Sequence, residues 1–200
     1  MTKALIFDIG STVLKNDWQS RVKAIYKETG ILEYRKGNMK RLSRQMSLGK
    51  ISLKYLLKMQ LKESDVPATF HILLQSYEKN YAKYSSIDKN MIKLVKILRK
   101  SYKVYAFSNT NDIHEKINRK RGLFSHFDKS FLSNRIHLRK PDRRAFAYVK
   151  KSINIPYKEM VFIDDDEKNI KTAKKLGILS IYYTTYPKLI KSLKHLGVKT

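Results

Sequence analysis

Four groups of residues, far apart in the chain, are of the types that phosphoryl transfer requires. Asp8 follows the apolar run Ala4-Leu-Ile-Phe7 and precedes a small-residue turn at Gly10-Ser11-Thr12. Ser108-Asn109-Thr110 follows a second such run, Lys103 to Phe107, and Asp164-Asp165-Asp166 ends a third, Met160 to Ile163. Lys140 lies between the last two, in the loop from His137 to Pro141. A carboxylate attacking a phosphoryl group meets like charge. A divalent cation bridging Asp8 and the phosphate removes that repulsion, and hard oxygen ligands suit Mg²⁺. Asp165 is the second carboxylate for such a metal, and Asn169, one helical turn on, can hold a metal-bound water. Lys140 can neutralise both Asp8 and the phosphoryl oxygens, while Ser108 donates a hydrogen bond to one of them. Taken singly, each has a plainer explanation: a cap for Asp8, a turn for Ser108, a surface charge for Lys140, a helix start for Asp164 and Asp165. Their shared placement at the ends of apolar runs favours chemistry.

Those runs must be strands, and their spacing says of which kind. Short apolar runs bounded by turn residues read as buried strands, and reactive groups in open α/β sheets sit at the strands' carboxyl ends. From residue 88 onward helix and strand alternate. Asp88 caps a helix through Met91, Leu94, Val95 and Leu98. Strands follow at 103–107, 127–132, 160–163 and 178–183, separated by helices through Ile113 and Ile117, over 142–153, and past Asn169 to Gly177. Pro187 starts a last helix. Repeated units of this kind make a doubly wound parallel sheet in an α/β fold. Residues 15–87 interrupt it with four short helical patterns: 17–27 closed by Gly30, 33–46, a third capped by Ser52, and a fourth opened by Pro67. The expected organisation is a core of 1–14 and 88–200 with a small α-helical insertion at 15–87.

Composition bounds the rest. The chain has no cysteine, which excludes disulfides and thiolate metal sites and fits a reducing, cytoplasmic setting. No run reaches membrane-spanning length. The net charge of +26 favours anionic partners: a small phosphorylated substrate, a phosphorylated macromolecule, nucleic acid or an anionic surface. An AT-rich genome explains the lysine excess equally well. Lys50, Lys54, Lys58 and Lys62 line one helix side at four-residue intervals, and a solvated face is preferred there to a polyanion-binding one. The five histidines are scattered and suggest no zinc site; His71 is the candidate to face the site, and Trp18 the candidate for its mouth, although a packing aromatic is the plainer reading of Trp18.

These motifs resemble those of the haloacid-dehalogenase-like hydrolase superfamily over nearly the whole chain. The apolar run into Asp8 resembles its first motif, Phe107-Ser-Asn-Thr110 the second, Arg139-Lys-Pro-Asp142 the third and Phe162-Ile-Asp-Asp165 the fourth. Residues 108–177 look closest to small sugar-phosphate phosphatases and the phosphatase domains of epoxide hydrolases. The resemblance implies a Rossmann-like core with a helical cap inserted after the first strand. It also implies Asp8 as nucleophile, Ser108, Asn109 and Lys140 as phosphate ligands, and Asp8, the Gly10 carbonyl and Asp165 as Mg²⁺ ligands. Asp164, orienting Lys140, would support them together with Asn169 and Thr12. One position departs from the pattern. Gly10 stands where the family's second aspartate, its general acid and base, belongs; the metal-binding carbonyl is kept and the proton carrier is lost. Two other readings follow. A metal-independent dehalogenase would also lack that aspartate, and a weakened core could serve only to bind polyanions.

Overall fold

In the computed structural model, which describes residues 1–31 and 37–200, the apolar runs form one five-stranded sheet. The chain runs through β1 (Ala4–Phe7) and β2 (Leu14–Asn16) into four helices: α1 (Trp18–Thr29), α2 (Gly37–Ser47), α3 (Leu53–Lys62) and α4 (Phe70–Tyr84). It returns through β3 (Ser85–Ile87) to α5 (Lys89–Leu98), β4 (Lys103–Ser108) and α6 (Asp112–Lys120). Next come β5 (Lys129–Leu132), the one-turn α7 (Ser133–Ile136) and α8 (Arg143–Ile153). β6 (Met160–Asp164), α9 (Glu167–Lys175), β7 (Leu179–Tyr182) and α10 (Tyr186–His195) follow. Among the described residues no helix is long and apolar enough to cross a membrane.

The sheet order is β5-β4-β1-β6-β7, with every neighbour parallel and β1 at the centre. Side chains of β1 alternate between two cores, as strand geometry requires. Leu5 and Phe7 join Met91, Leu98 and Leu193 from α5 and α10; Ala4 and Ile6 join Phe146, Val149 and Ala173 from α8 and α9. All four β1 side chains are buried. Burying a side chain the size of Leu, Ile or Phe contributes about 1.5–3 kcal/mol, so β1 is held from both faces. Asp8, the next residue, inherits that fixed position.

β2 and β3 pair antiparallel, Leu14 with Ile87 and Asn16 with Ser85, so the insertion leaves and re-enters the core through one short ribbon. Three-residue strands are too short to show alternation, and the sequence reading has no strand there. Within the insertion Asp17 accepts the Ser20 N–H at 3.0 Å to start α1, and Gly30 ends it at φ 69°. Ser52 caps α3 by accepting from the Tyr55 N–H at 3.1 Å. The fourth helix begins not at Pro67 but behind Thr69, whose hydroxyl accepts the Ile72 N–H; proline offers no such acceptor. The second helix starts at Gly37, and residues 33–36 of the expected span lie outside the described residues. Ile25, Leu53, Leu57, Leu73 and Tyr77 form a third apolar cluster, to which α6 of the core adds Ile113. Lys50, Lys54, Lys58 and Lys62 are all exposed.

The insertion is docked by polar contacts as well. The Leu53 N–H donates to Asp112 Oδ1 at 2.9 Å, and His137 Nδ1 donates to the Leu48 carbonyl at 2.8 Å. Ser133 Oγ donates to the Ser47 carbonyl. Between these contacts Gly49 has φ +67°, and a Cβ placed on it would lie 2.1 Å from the Asn134 carbonyl oxygen. No side chain fits there. Gly49→Ala is expected to lift the α2–α3 turn off the core at a cost of about 1–3 kcal/mol. Thermal melts and limited proteolysis would read this as a lower Tm and faster cleavage in α2 and α3; unchanged values would contradict the close docking.

Candidate active site

The carboxyl edge of the sheet gathers the residues that the sequence separates. Asp8 follows β1, Ser108 ends β4, Asp164 ends β6, and Lys140 reaches in from the loop between α7 and α8. The Asp8 backbone N–H donates to the Ile163 carbonyl at 2.8 Å, which ties the two acidic strand ends together. Lys140 is 1% exposed. Its Nζ donates to Asp8 Oδ1 and to Asp164 Oδ2, each at 2.6 Å, between the rings of Phe107 and Phe162 at 5.2 and 5.4 Å.

The loop that carries Lys140 is clamped by Asn109. Its Oδ1 accepts the Lys140 N–H and its Nδ2 donates to the Lys140 carbonyl, both at 2.9 Å. The Asn109 amide is therefore spent on positioning Lys140, a use the sequence reading, with Asn109 as a phosphate ligand, lacks. Asp164 is as fully engaged, accepting from Lys140, from the Asp166 N–H and from Asn169 Nδ2. Asn169 then presents Oδ1, and Thr12 its Oγ1, as buried oxygens with no hydrogen-bond partner.

Charge is unbalanced at this edge. Three carboxyl groups, Asp8, Asp164 and Asp165, stand against one ammonium. Burial pushes Asp8 up, Lys140 pulls it down, and the charges of Asp164 and Asp165 push it up again, leaving it at about 7. Asp165 is raised by burial and then by Asp164. Burial alone would depress Lys140, but attraction to Asp8 and Asp164 outweighs it and the group is raised. A divalent cation would offset the excess negative charge, and the donors nearby are hard oxygens: Asp8, Asp165, the Gly10 carbonyl and Asn169 Oδ1. Among the described residues no three His, Cys, Asp or Glu side chains are grouped to hold a metal alone. At Gly10 a Cβ would meet only Asp8 Oδ2, at 3.8 Å, so the small residue is not demanded by crowding.

Beside this edge a cleft of about 160 Å³ separates the helical insertion from the core. Asn109, Thr110, Asn111, His114 and Arg139 line it from the core, and Arg21, Gln60 and Tyr77 from the insertion. The sequence reading missed Arg21, His114 and Arg139. Arg21 was legible in principle, since it lies four residues before Ile25 and so shares its buried face. His71, expected to face the site, is instead exposed on the first turn of α4. The histidine at the cleft is His114, stacked on Tyr81 at 3.6 Å between ring centres. Trp18 is 40% exposed and is not among the residues lining the cleft.

The sequence profile of haloacid dehalogenase-like hydrolases matches residues 2–177. The chain belongs to that hydrolase family. It is 26% identical over 190 residues to the D-ribitol-5-phosphate phosphatase of Bacteroides thetaiotaomicron, covering 88% of this chain and 89% of that protein. It is 27% identical over 195 residues to drimenol cyclase drtB of Aspergillus calidoustus, covering 92% of this chain but 34% of that protein, so it spans about a third of that relative's length. In structure it resembles a family enzyme of Bacteroides thetaiotaomicron solved with magnesium and inorganic phosphate. The TM-score is 0.77 at 24% identity, with 94% of this chain and 99% of that one covered. At that identity the likeness shows the fold.

The raised Asp8 makes a pH prediction for the metal-free protein. The folded state keeps the proton that the unfolded chain releases near 3.8, so Asp8 contributes stability that is full below 3.8 and lost as pH rises to about 7. Asp8→Asn removes this contribution. Urea unfolding in EDTA across that range should show the stability of Asp8→Asn relative to the parent increasing with pH up to about 7 and then levelling. A pH-independent difference would show that Asp8 is not raised.

Proposed function

We propose that the protein is a Mg²⁺-dependent phosphatase that hydrolyses phosphate monoesters through an aspartyl phosphate on Asp8. Residues 1–14 and 88–200 would act as the catalytic core and 15–87 as its cap. The observation that carries this reading is the buried Lys140 ammonium held 2.6 Å from both Asp8 and Asp164, beside Asp165 and the unpartnered Asn169 oxygen. The phosphatase among its relatives, and the magnesium and phosphate in its structural neighbour, support the same chemistry.

In this mechanism Lys140 fixes Asp8 through Oδ1 and lends positive charge to the incoming phosphoryl group, to which Ser108 donates a hydrogen bond. Asp8, Asp165 and the Gly10 carbonyl would hold Mg²⁺, which would supply neutralisation of the negative charge on the phosphoryl group. One Asp8 oxygen attacks phosphorus and the bond to the leaving oxygen breaks, leaving an acyl phosphate on Asp8. Water then attacks that phosphorus, the bond to Asp8 breaks, and inorganic phosphate departs. Asp164 and Asn109 keep Lys140 in place throughout.

Asp8→Asn should abolish phosphate release from a panel of monoesters assayed with Mg²⁺, and EDTA should silence the parent. Undiminished hydrolysis by the variant would sink the mechanism. Full activity in EDTA would point to the metal-independent alternative.

Gly10 leaves the leaving oxygen without a positioned acid, a contribution worth about 10²–10⁴-fold where it exists. The parent is therefore expected to favour aryl, anomeric or acyl phosphates, whose leaving groups tolerate negative charge, over alkyl esters such as glycerol phosphate. The space at Gly10 admits a Cβ, so Gly10→Asp should raise alkyl-ester turnover more than aryl-ester turnover. The check is kcat/KM against leaving-group pKa for both proteins; a shallow slope in the parent would mean that another group already gives the proton.

A further inference from the structure

The cleft beside the catalytic edge carries positive charge that the proposed chemistry does not use. Arg21, on α1, is 4% exposed, and its Nε is buried without a hydrogen-bond partner. Its guanidinium lies 5.5 Å over the Tyr81 ring, which supplies attraction but accepts no N–H in the plane of the fork. Arg139, on the core side, also has a buried, unpartnered Nε. Its surroundings are unfavourable to charge, first through burial and then through repulsion by Arg44, with Asp166 only partly offsetting them. Among the described residues, no acidic side chain lines the cleft.

A buried cation is tolerated when something satisfies its N–H groups, and an unsatisfied one costs several kcal/mol. Here two guanidinium groups, one from each side of the cleft, share a space of about 160 Å³ with Asn111 and Gln60. That is room for roughly five water molecules at ~30 Å³ each, or a short organic chain. The cleft meets the catalytic edge at Asn109, which clamps Lys140, and offers the nearby space for the leaving group of a phosphate ester bound at Asp8.

We propose that the substrate carries two anionic groups: it is a phosphate monoester whose leaving group bears a carboxylate or a second phosphate, held between Arg21 and Arg139. This rests on the reading of Asp8 as the phosphoryl acceptor. A neutral polyol could accept hydrogen bonds from these N–H groups but would leave both guanidinium charges uncompensated. Planar guanidinium forks match carboxylate and phosphate oxygens two at a time, and each hydrogen bond to a charged group is worth about 1.5–3 kcal/mol, or about 10- to 150-fold.

The test compares matched esters in Mg²⁺: 3-phosphoglycerate against glycerol 3-phosphate for the carboxylate, and propane-1,3-diol bisphosphate against propyl phosphate for the second phosphate. Selectivity, the ratio of kcat/KM within a pair, should favour the member with the second anionic group by at least about tenfold in one pair, which names the source of the anion. Arg21→Gln and, separately, Arg139→Gln should each bring that ratio towards one, and Arg21→Lys should restore part of it. Ratios near one in the parent for both pairs, with measurable turnover, would overturn the inference while leaving the phosphatase reading intact. Should no ester be turned over, the same site is read by binding alone. Succinate and inorganic phosphate should then perturb the Arg21 and Arg139 Nε–H signals of the parent, and unperturbed signals would again overturn the inference.

Discussion

The Lys140 ammonium, buried between two carboxylates, is the charge on which the catalytic edge depends. Withdrawing an ammonium from water costs several kcal/mol, and only close, well-directed partners offset it. Asp8 and Asp164 do so at 2.6 Å each, and the rings of Phe107 and Phe162 add their faces. The dependence is mutual. Without Lys140, two buried carboxylates would face each other unscreened; without Asp164, the ammonium would lean on Asp8 alone. The surrounding architecture serves this one ion: Asn109 grips the backbone of Lys140, and Asn169 grips Asp164. Parallel pairing of β1 with β4 and β6 fixes the strand ends from which Asp8, Ser108 and Asp164 project.

A strongly basic protein thus concentrates acid at its reactive edge. The overall charge is +26, yet three carboxyl groups there share one lysine. Such an arrangement suits a small, hard cation, and burial together with the neighbouring carboxylates raises Asp8 against the pull of Lys140. The same basic excess reappears a short way off as the guanidinium groups of Arg21 and Arg139 in the cleft.

In the proposed function, chemistry and selection are carried by different parts of the molecule. The core holds every group assigned to phosphoryl transfer, and the helical insertion supplies Arg21, Gln60 and Tyr77 to the cleft. The two parts are joined by the β2–β3 ribbon, by the Ser133 and His137 side chains on the Ser47 and Leu48 carbonyls, and by Gly49, which meets the Asn134 backbone without room for a side chain. Arg121 steadies the junction by donating to Ser85 Oγ and the Ala82 carbonyl. Changes in cleft lining can therefore alter what is accepted while the Lys140 network stays as it is.

The sequence by itself determined the strand runs, the helix caps at Ser52 and Asp88, the helix starts near Asp17 and Asp142, and the membership of Asp8, Ser108, Lys140 and Asp164 in one edge. These are local signals: an apolar run, a capping side chain and a strand-end carboxylate are each encoded within a few neighbouring residues. What the tertiary structure alone decided is whatever depends on residues meeting across the chain. Asn109 turned out to hold a loop 31 residues away, Thr69 rather than Pro67 began α4, and β2 paired with a partner some seventy residues on. His114 took the place at the cleft that His71 was expected to fill, because α6 packs its Ile113 against the insertion and carries His114 with it, while His71 turns to solvent. Periodicity says which face of a helix is buried, not what that face is buried against, and a cleft between two parts of a chain belongs to neither sequence pattern.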